Sequence, residues 1–157
     1  MTETSDGVAE GFDVEFVVES ELWADSEERL ATALRCAAEI EKSRGEVSVF
    51  LADDGALQLL NRDWRGKDCP TNVLSFPAAK NEAGLLGDIA LAAETVAREA
   101  AEQGKSFEAH ATHLIVHGFL HLLGYDHEVE EEAAAMEERE RAILAALGLP
   151  DPYRAGG

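Results

Sequence analysis

Apolar and polar residues alternate through Val14, Phe16 and Val18 and again through Val47, Val49 and Leu51, so the chain predicts strands over 13–20 and 46–52. Between them the period lengthens to that of a helix. Leu30, Ala33, Leu34, Ala37 and Ile40 form a stripe at three- and four-residue intervals. Asp25-Ser26-Glu27-Glu28, which resembles a capping box, opens a helix that runs to about Lys42, and Gly45 ends it. Asp53 or Asp54 then caps a short helix carrying Leu57, Leu59, Leu60 and Trp64, in which Trp64 is expected to pack into the core. A third strand is expected over 72–76, closed by Pro77, and a fourth over 87–91, leading into a helix over 93–102. Ser106 is placed to cap the next helix. A last helix over 130–147 carries Met136, Ile143, Leu144 and Leu147 and stops at Gly148 and Pro150.

The helix after Ser106 differs from the others. Leu114, Ile115, Val116, Phe119, Leu120, Leu122 and Leu123 make it apolar nearly all round, the pattern of a buried helix. Strands come first and helices dominate the second half, which predicts an α+β fold: one small mixed four-stranded sheet packed with about five helices. The 157 residues suffice for one domain, expected over 12–154, with residues 1–11 a mobile acidic N-terminus.

Charge and cysteine content narrow the setting. With 32 acidic and 13 basic residues the net charge is −19, so most of the surface repels polyanions, and nucleic-acid binding requires a local basic patch. Much of the acid lies in 128–140, read as a solvated helix face. No stretch approaches eighteen consecutive apolar residues, which predicts no membrane span. Cys36 and Cys69 make neither a disulfide framework nor a CxxC pair and are read as incidental thiols in a reducing, cytoplasmic protein.

All five histidines fall within 110–127, on the buried helix or just past its end. His117 and His121 are four apart, so they share a helix face about 6 Å apart in rise and can converge on one ion. Gly124 then offers a left-handed turn that lets His127 approach the same ion, leaving a fourth position open. A His113/His117 pair is the other option, but only 117/121 has a third histidine beyond the helix end. His113 and His110 are accordingly placed around the site, behind the ligands or in a substrate channel. A single zinc ion is the expected metal, with other divalent transition metals compatible with three imidazoles.

The spacing His-x3-His-x2-Gly-x2-His resembles that of the metzincin peptidases, but Gly118 stands where their general-base glutamate belongs. A second stretch supplies different chemistry. Arg62, Arg65 and Lys67 gather three cations in six positions, either an anion-binding lip or ordinary charge at a helix end.

Taken together, His117-Gly-Phe-Leu-His121-Leu-Leu-Gly-Tyr-Asp-His127 and Arg65-Gly-Lys-Asp-Cys-Pro-Thr-Asn-Val-Leu-Ser-Phe-Pro77 resemble the YbeY family of bacterial endoribonucleases; Gly87-Asp88-Ile89 and Asp151-Pro152-Tyr153 resemble it too. The resemblance implies a zinc-type site at His117, His121 and His127 and an Arg65 that lines the cleft and is needed for activity. On that footing the expected reaction is metal-assisted phosphodiester hydrolysis, with Arg65 stabilising charge on the phosphate and the base sought first in the metal's own hydroxide, then in His113, then in Asp126. It further implies a single-stranded RNA substrate, notably the 3′ end of small-subunit ribosomal RNA, and work in the cytoplasm on or near the small ribosomal subunit or its associated proteins. Neither membrane nor DNA is an expected partner. Two alternatives stand beside this reading: a metallopeptidase-like hydrolase with an unusual base, and a non-catalytic ribosome assembly module with a structural metal.

Overall fold

The protein is described here as a computed structural model covering residues 11–79, 81, 84–125 and 130–153; the acidic segment expected to be mobile therefore lies, but for Gly11, outside the described residues. Four strands, β1 (Phe12–Val18), β2 (Gly45–Ala52), β3 (Val73–Pro77) and β4 (Leu85–Ala92), form one mixed sheet in the order β1-β2-β4-β3. β1 runs parallel to β2 because the helix between them carries the chain back, and β2 runs parallel to β4 because β3 makes the return between those two. β3 instead folds directly back on β4, antiparallel from Val73 opposite Leu91 to Pro77 opposite Gly87. That leaves β3 at the sheet edge, where Pro77, which has no N–H to give, ends the strand.

Among the described residues five α-helices pack with the sheet: α1 (Glu27–Glu41), α2 (Asp54–Arg65), α3 (Ala93–Gln103), α4 (Phe107–Leu122) and α5 (Glu130–Ala146). One face of the sheet and the helices α1, α3, α4 and α5 share a core through Val47, Val49, Leu51, Ile89, Leu34, Val96, Phe119, Leu120, Met136 and Ile143. A smaller cluster, in which Leu57 of α2 meets Leu74, Ala90 and Ala92, covers the other face. α4 is the most enclosed helix, with Ile115, Val116, Phe119 and Leu120 wholly buried. Its near-continuous apolar surface, the feature that set it apart in the sequence, is needed because it packs on α1, α3, α5, β3 and β4 at once.

The ends of elements are where the sequence expectations need correcting. Val18 is 42 % exposed, since β1 runs past the helix that covers its start. Ser26 makes no side-chain cap to α1, and Asp25 beside it adopts a left-handed backbone. α1 closes at Lys42 as expected, in a left-handed cap (φ 54°), and Gly45, expected only to end the helix, opens β2. Both aspartates of the 53/54 pair act, on different helices. Asp53 accepts from Ala56 N at 2.8 Å to cap α2, while Asp54 Oδ1 accepts from Thr95 N and Oγ1 at 2.9 Å to cap α3.

Candidate metal centre

α4 brings His117 and His121 to the cleft under the edge strand. Ser106 Oγ accepts from Ala109 N to fix the start of the helix, and Gly124 takes a left-handed turn (φ 105°) just past its end. His117 Nε2 and His121 Nε2 stand 3.2 Å apart. In a tetrahedral zinc site with nitrogens about 2.05 Å from the ion, two ligand nitrogens are separated by roughly 3.3 Å. The pair therefore has the spacing of two ligands. His127 and Asp126 lie outside the described residues, and among the described residues no third ligating side chain joins the pair.

A buried carboxylate sets the direction of this pair. Glu140 of α5 is fully enclosed; its Oε2 accepts from His117 Nδ1 at 2.6 Å and its Oε1 from His113 Nε2 at 2.9 Å. The Tyr153 hydroxyl also donates to Oε1. Burial by itself would raise the Glu140 carboxyl, but the bonds from His113, His117 and Tyr153 prevail and bring it down to about 2. With Nδ1 of His117 committed to that carboxylate, its Nε2 is left as the lone-pair nitrogen facing His121. The donor set thus fits a zinc-type ion, with a carboxylate behind one imidazole.

Of the acidic stretch read as a solvated face, Glu130, Glu131, Glu132 and Glu138 are exposed, whereas Glu140 is buried. The tail contributes by the same route: Asp151 accepts from Tyr153 N at 2.8 Å and from Arg141 Nε at 3.0 Å, which carries the phenol to Glu140. Burial and the Glu140 carboxylate push the Tyr153 hydroxyl upward, so it stays a donor. His113 is held on Glu140 and faces a different recess, walled by Lys105, Leu144 and Pro150, rather than the His117/His121 cleft. His110 lies further back, bonded to Glu99 of α3.

Arg65 joins the histidine pair. The cleft, about 570 Å³, is lined by Arg65, Asn72, Ser75, His117, His121 and Tyr125, among others. Gly66 closes α2 in the left-handed region, and Asn61 Nδ2 donates to Cys69 O at 2.9 Å, tying down the loop that follows Arg65. Among the described residues Arg65 has no ion pair, whereas Arg62 is spent on Asp63 at 3.0 Å and neither Arg62 nor Lys67 lines the cleft. The expected lip of three cations is thus one guanidinium. Trp64, expected in the core, is 72 % exposed, with one edge towards Phe76.

Gly118 explains why the peptidase glutamate has no place here. Ser75 Oγ donates to Gly118 O at 3.1 Å, and a Cβ on Gly118 would lie 2.9 Å from that hydroxyl and 3.1 Å from an Ile89 methyl. The helix crosses the sheet at this point, so position 118 faces strands rather than the cleft.

Comparison with known proteins gives a consistent answer. A family-level sequence model described as Endoribonuclease YbeY matches residues 15–148. An endoribonuclease YbeY of Rhodopseudomonas palustris is 52 % identical over 151 residues, covering 88 % of this chain and 80 % of the relative. Its counterpart in another strain is 49 % identical over 152 residues, covering 88 % of each. Among solved structures, the solution structure of a Thermotoga maritima protein superposes with a TM-score of 0.60 at 25 % identity, covering 90 % of this chain and 99 % of that one.

Proposed function

The chain belongs to the YbeY family of endoribonucleases, and from that premise we propose that it hydrolyses single-stranded RNA with one zinc-type ion held by His117, His121 and His127. Ribosomal RNA, notably the 3′ end of the small-subunit RNA, is the proposed substrate. The observation that carries this reading is the meeting of the His117/His121 nitrogen pair and the Arg65 guanidinium, which has no ion pair among the described residues, on the walls of one cleft. A bound ion supplies Lewis acidity toward a phosphoryl oxygen and lowers the pKa of an attacking water.

The chain's own residues do the remainder. Arg65 presents a planar fork to the non-bridging phosphate oxygens and offsets the charge that grows there. Glu140 fixes the tautomer and direction of His117, and His113 and Tyr153 hold Glu140 in turn. His113, set away from the cleft, is a positioning residue in this scheme; either the attacking group would enter already deprotonated, as hydroxide, and need no separate base, or Asp126 would take the proton from water. Trp64, beside Arg65, offers a ring face on which a base can stack. At a net charge of −19 the chain as a whole repels RNA, so the small ribosomal subunit or a protein bound to it is the proposed source of placement, in the cytoplasm. Among the described residues no helix is long and apolar enough to cross a membrane.

The reading is tested with a labelled single-stranded RNA and four samples: zinc-loaded protein, chelated protein, His121→Ala and His117→Ala. Cleavage confined to the loaded wild-type protein is the expected result. Equal traces of cleavage in all four would identify a contaminant and favour the non-catalytic assembly reading. Metal-dependent cleavage of peptides instead of RNA would favour the hydrolase of amides, against which Gly118 argues.

Glu140→Gln provides a separate check on how the ion is held. Glutamine keeps the volume but turns an NH2 donor toward side chains that already donate, so one of the three bonds must break. Metal affinity, read by competition with a chelating dye, should fall about 10- to 100-fold. Unchanged affinity would show that Glu140 does not orient His117.

A further inference from the structure

The cleft wall carries one open acceptor whose direction is fixed from behind. Asn72 immediately precedes β3, its carbonyl accepts from Ala92 N at 3.0 Å, and its half-buried side chain lines the cleft with Arg65, His117 and His121. Its Nδ2 donates to Glu99 Oε1 at 2.9 Å, and the same oxygen meets His110 Nε2 at 2.9 Å. A carboxylate oxygen offers lone pairs, so both neighbours must donate. For His110, 3 % exposed, burial lowers the pKa against the opposing pull of Glu99, and its Nδ1 is buried with no partner among the described residues, as expected of a neutral ring protonated at Nε2. With the amide nitrogen committed to Glu99, a flipped Asn72 would set two acceptors face to face. Its Oδ1 therefore points the other way; it makes no hydrogen bond among the described residues and is not sealed from solvent.

That oxygen needs a donor, and a phosphate offers none at neutral pH. On a polyribonucleotide aligned by Arg65 and the histidines, the donor nearest the backbone is the ribose 2′-hydroxyl, which deoxyribose lacks. We propose that Asn72 binds a ribose 2′-hydroxyl in the cleft and so distinguishes RNA from DNA, with Glu99 and His110 as positioning residues that hold its amide in the reading orientation. The inference rests on the cleft being the RNA-cleaving site.

The experiment uses zinc-loaded protein and labelled single-stranded RNAs in which one residue at a time is 2′-deoxy, with kcat and KM measured for wild type, Asn72→Ala and Glu99→Gln. Wild type should lose about tenfold in kcat/KM at one sugar position, the scale of one hydrogen bond. Asn72→Ala should lose about as much on all-ribose RNA and nothing further at that position. Glu99→Gln, whose amide can donate as well as accept, should flatten the same profile while metal content and thermal midpoint stay near wild type; it carries the comparison if Asn72→Ala does not fold. A wild type that cleaves RNA yet ignores every single 2′-deoxy change overturns the inference and leaves the RNA reading standing. The same holds if the variants keep the wild-type profile, or if the losses follow base identity rather than sugar. A folded, metal-loaded wild type that cleaves no RNA removes the premise itself.

Discussion

Arg65→Ala should lower kcat for RNA cleavage by about 100-fold while leaving metal content and fold intact. Losing one preorganised donor at a developing anion costs about 10²–10³ in kcat. Arg65 is solvent-exposed at the end of α2, which argues for the lower end of that range. The substitution removes no buried partner, because among the described residues Arg65 makes no ion pair or hydrogen bond, so stability should change by less than about 0.5 kcal/mol. Two further readouts separate charge from geometry. Arg65→Lys keeps the charge but not the bidentate fork and should recover only part of the loss. The slope of log affinity against log salt should fall by about 0.7 for one lost contact to a single strand. A raised KM with unchanged kcat would mean that Arg65 holds the phosphate equally in the ground state and the transition state, and so binds RNA without lowering the barrier of the chemical step.

Most of the architecture was legible because it rests on period and caps. The alternation at 47, 49 and 51, the stripe of α1, the caps at Asp53 and Ser106 and the all-round apolar α4 are each local patterns that tertiary packing reinforces. The histidine pair was legible for the same reason, since four residues on a helix fix a distance. The order of strands was not, because nothing local says that β3 takes the edge and reverses. Glu140 was hidden by its surroundings: acid-rich sequence reads as solvated. Its spacing held a signal, however, because Met136, Glu140, Ile143 and Leu144 fall at i, i+4, i+7 and i+8 and are the buried positions of α5. A carboxylate on an apolar stripe must have donors, and the histidines of α4 were the available ones. Trp64 was misplaced by the opposite assumption, that a large aromatic on a short helix faces inward; the buried positions of α2 are Leu57 and Asn61, and Trp64 stands 72 % exposed, meeting the rim of the sheet at Phe76.

Gly118→Glu, the substitution that restores the peptidase pattern, should unfold the protein rather than convert it. A Cβ at 118 already approaches Ser75 Oγ at 2.9 Å and Ile89 at 3.1 Å, and the rest of a glutamate must follow into β3 and β4. An unpaired carboxylate forced into that contact adds a desolvation cost to the overlap, and the two together exceed about 5 kcal/mol, a large part of what holds a domain of this size. The smaller probe, Gly118→Ala, sets two effects against each other. Alanine gains about 1 kcal/mol in helix propensity, while one extra methyl in a close-packed crossing costs about 1–3 kcal/mol. Ser75 Oγ is bonded to Gly118 O and cannot swing away freely, so the crossing should win by about 1 kcal/mol, lowering Tm by roughly 2–4 °C. Pairing Gly118→Ala with Ser75→Ala decides the cause. If Ser75 is the obstacle, the double variant should melt above the Gly118→Ala variant; equal or lower midpoints would place the obstacle at Ile89, on β4.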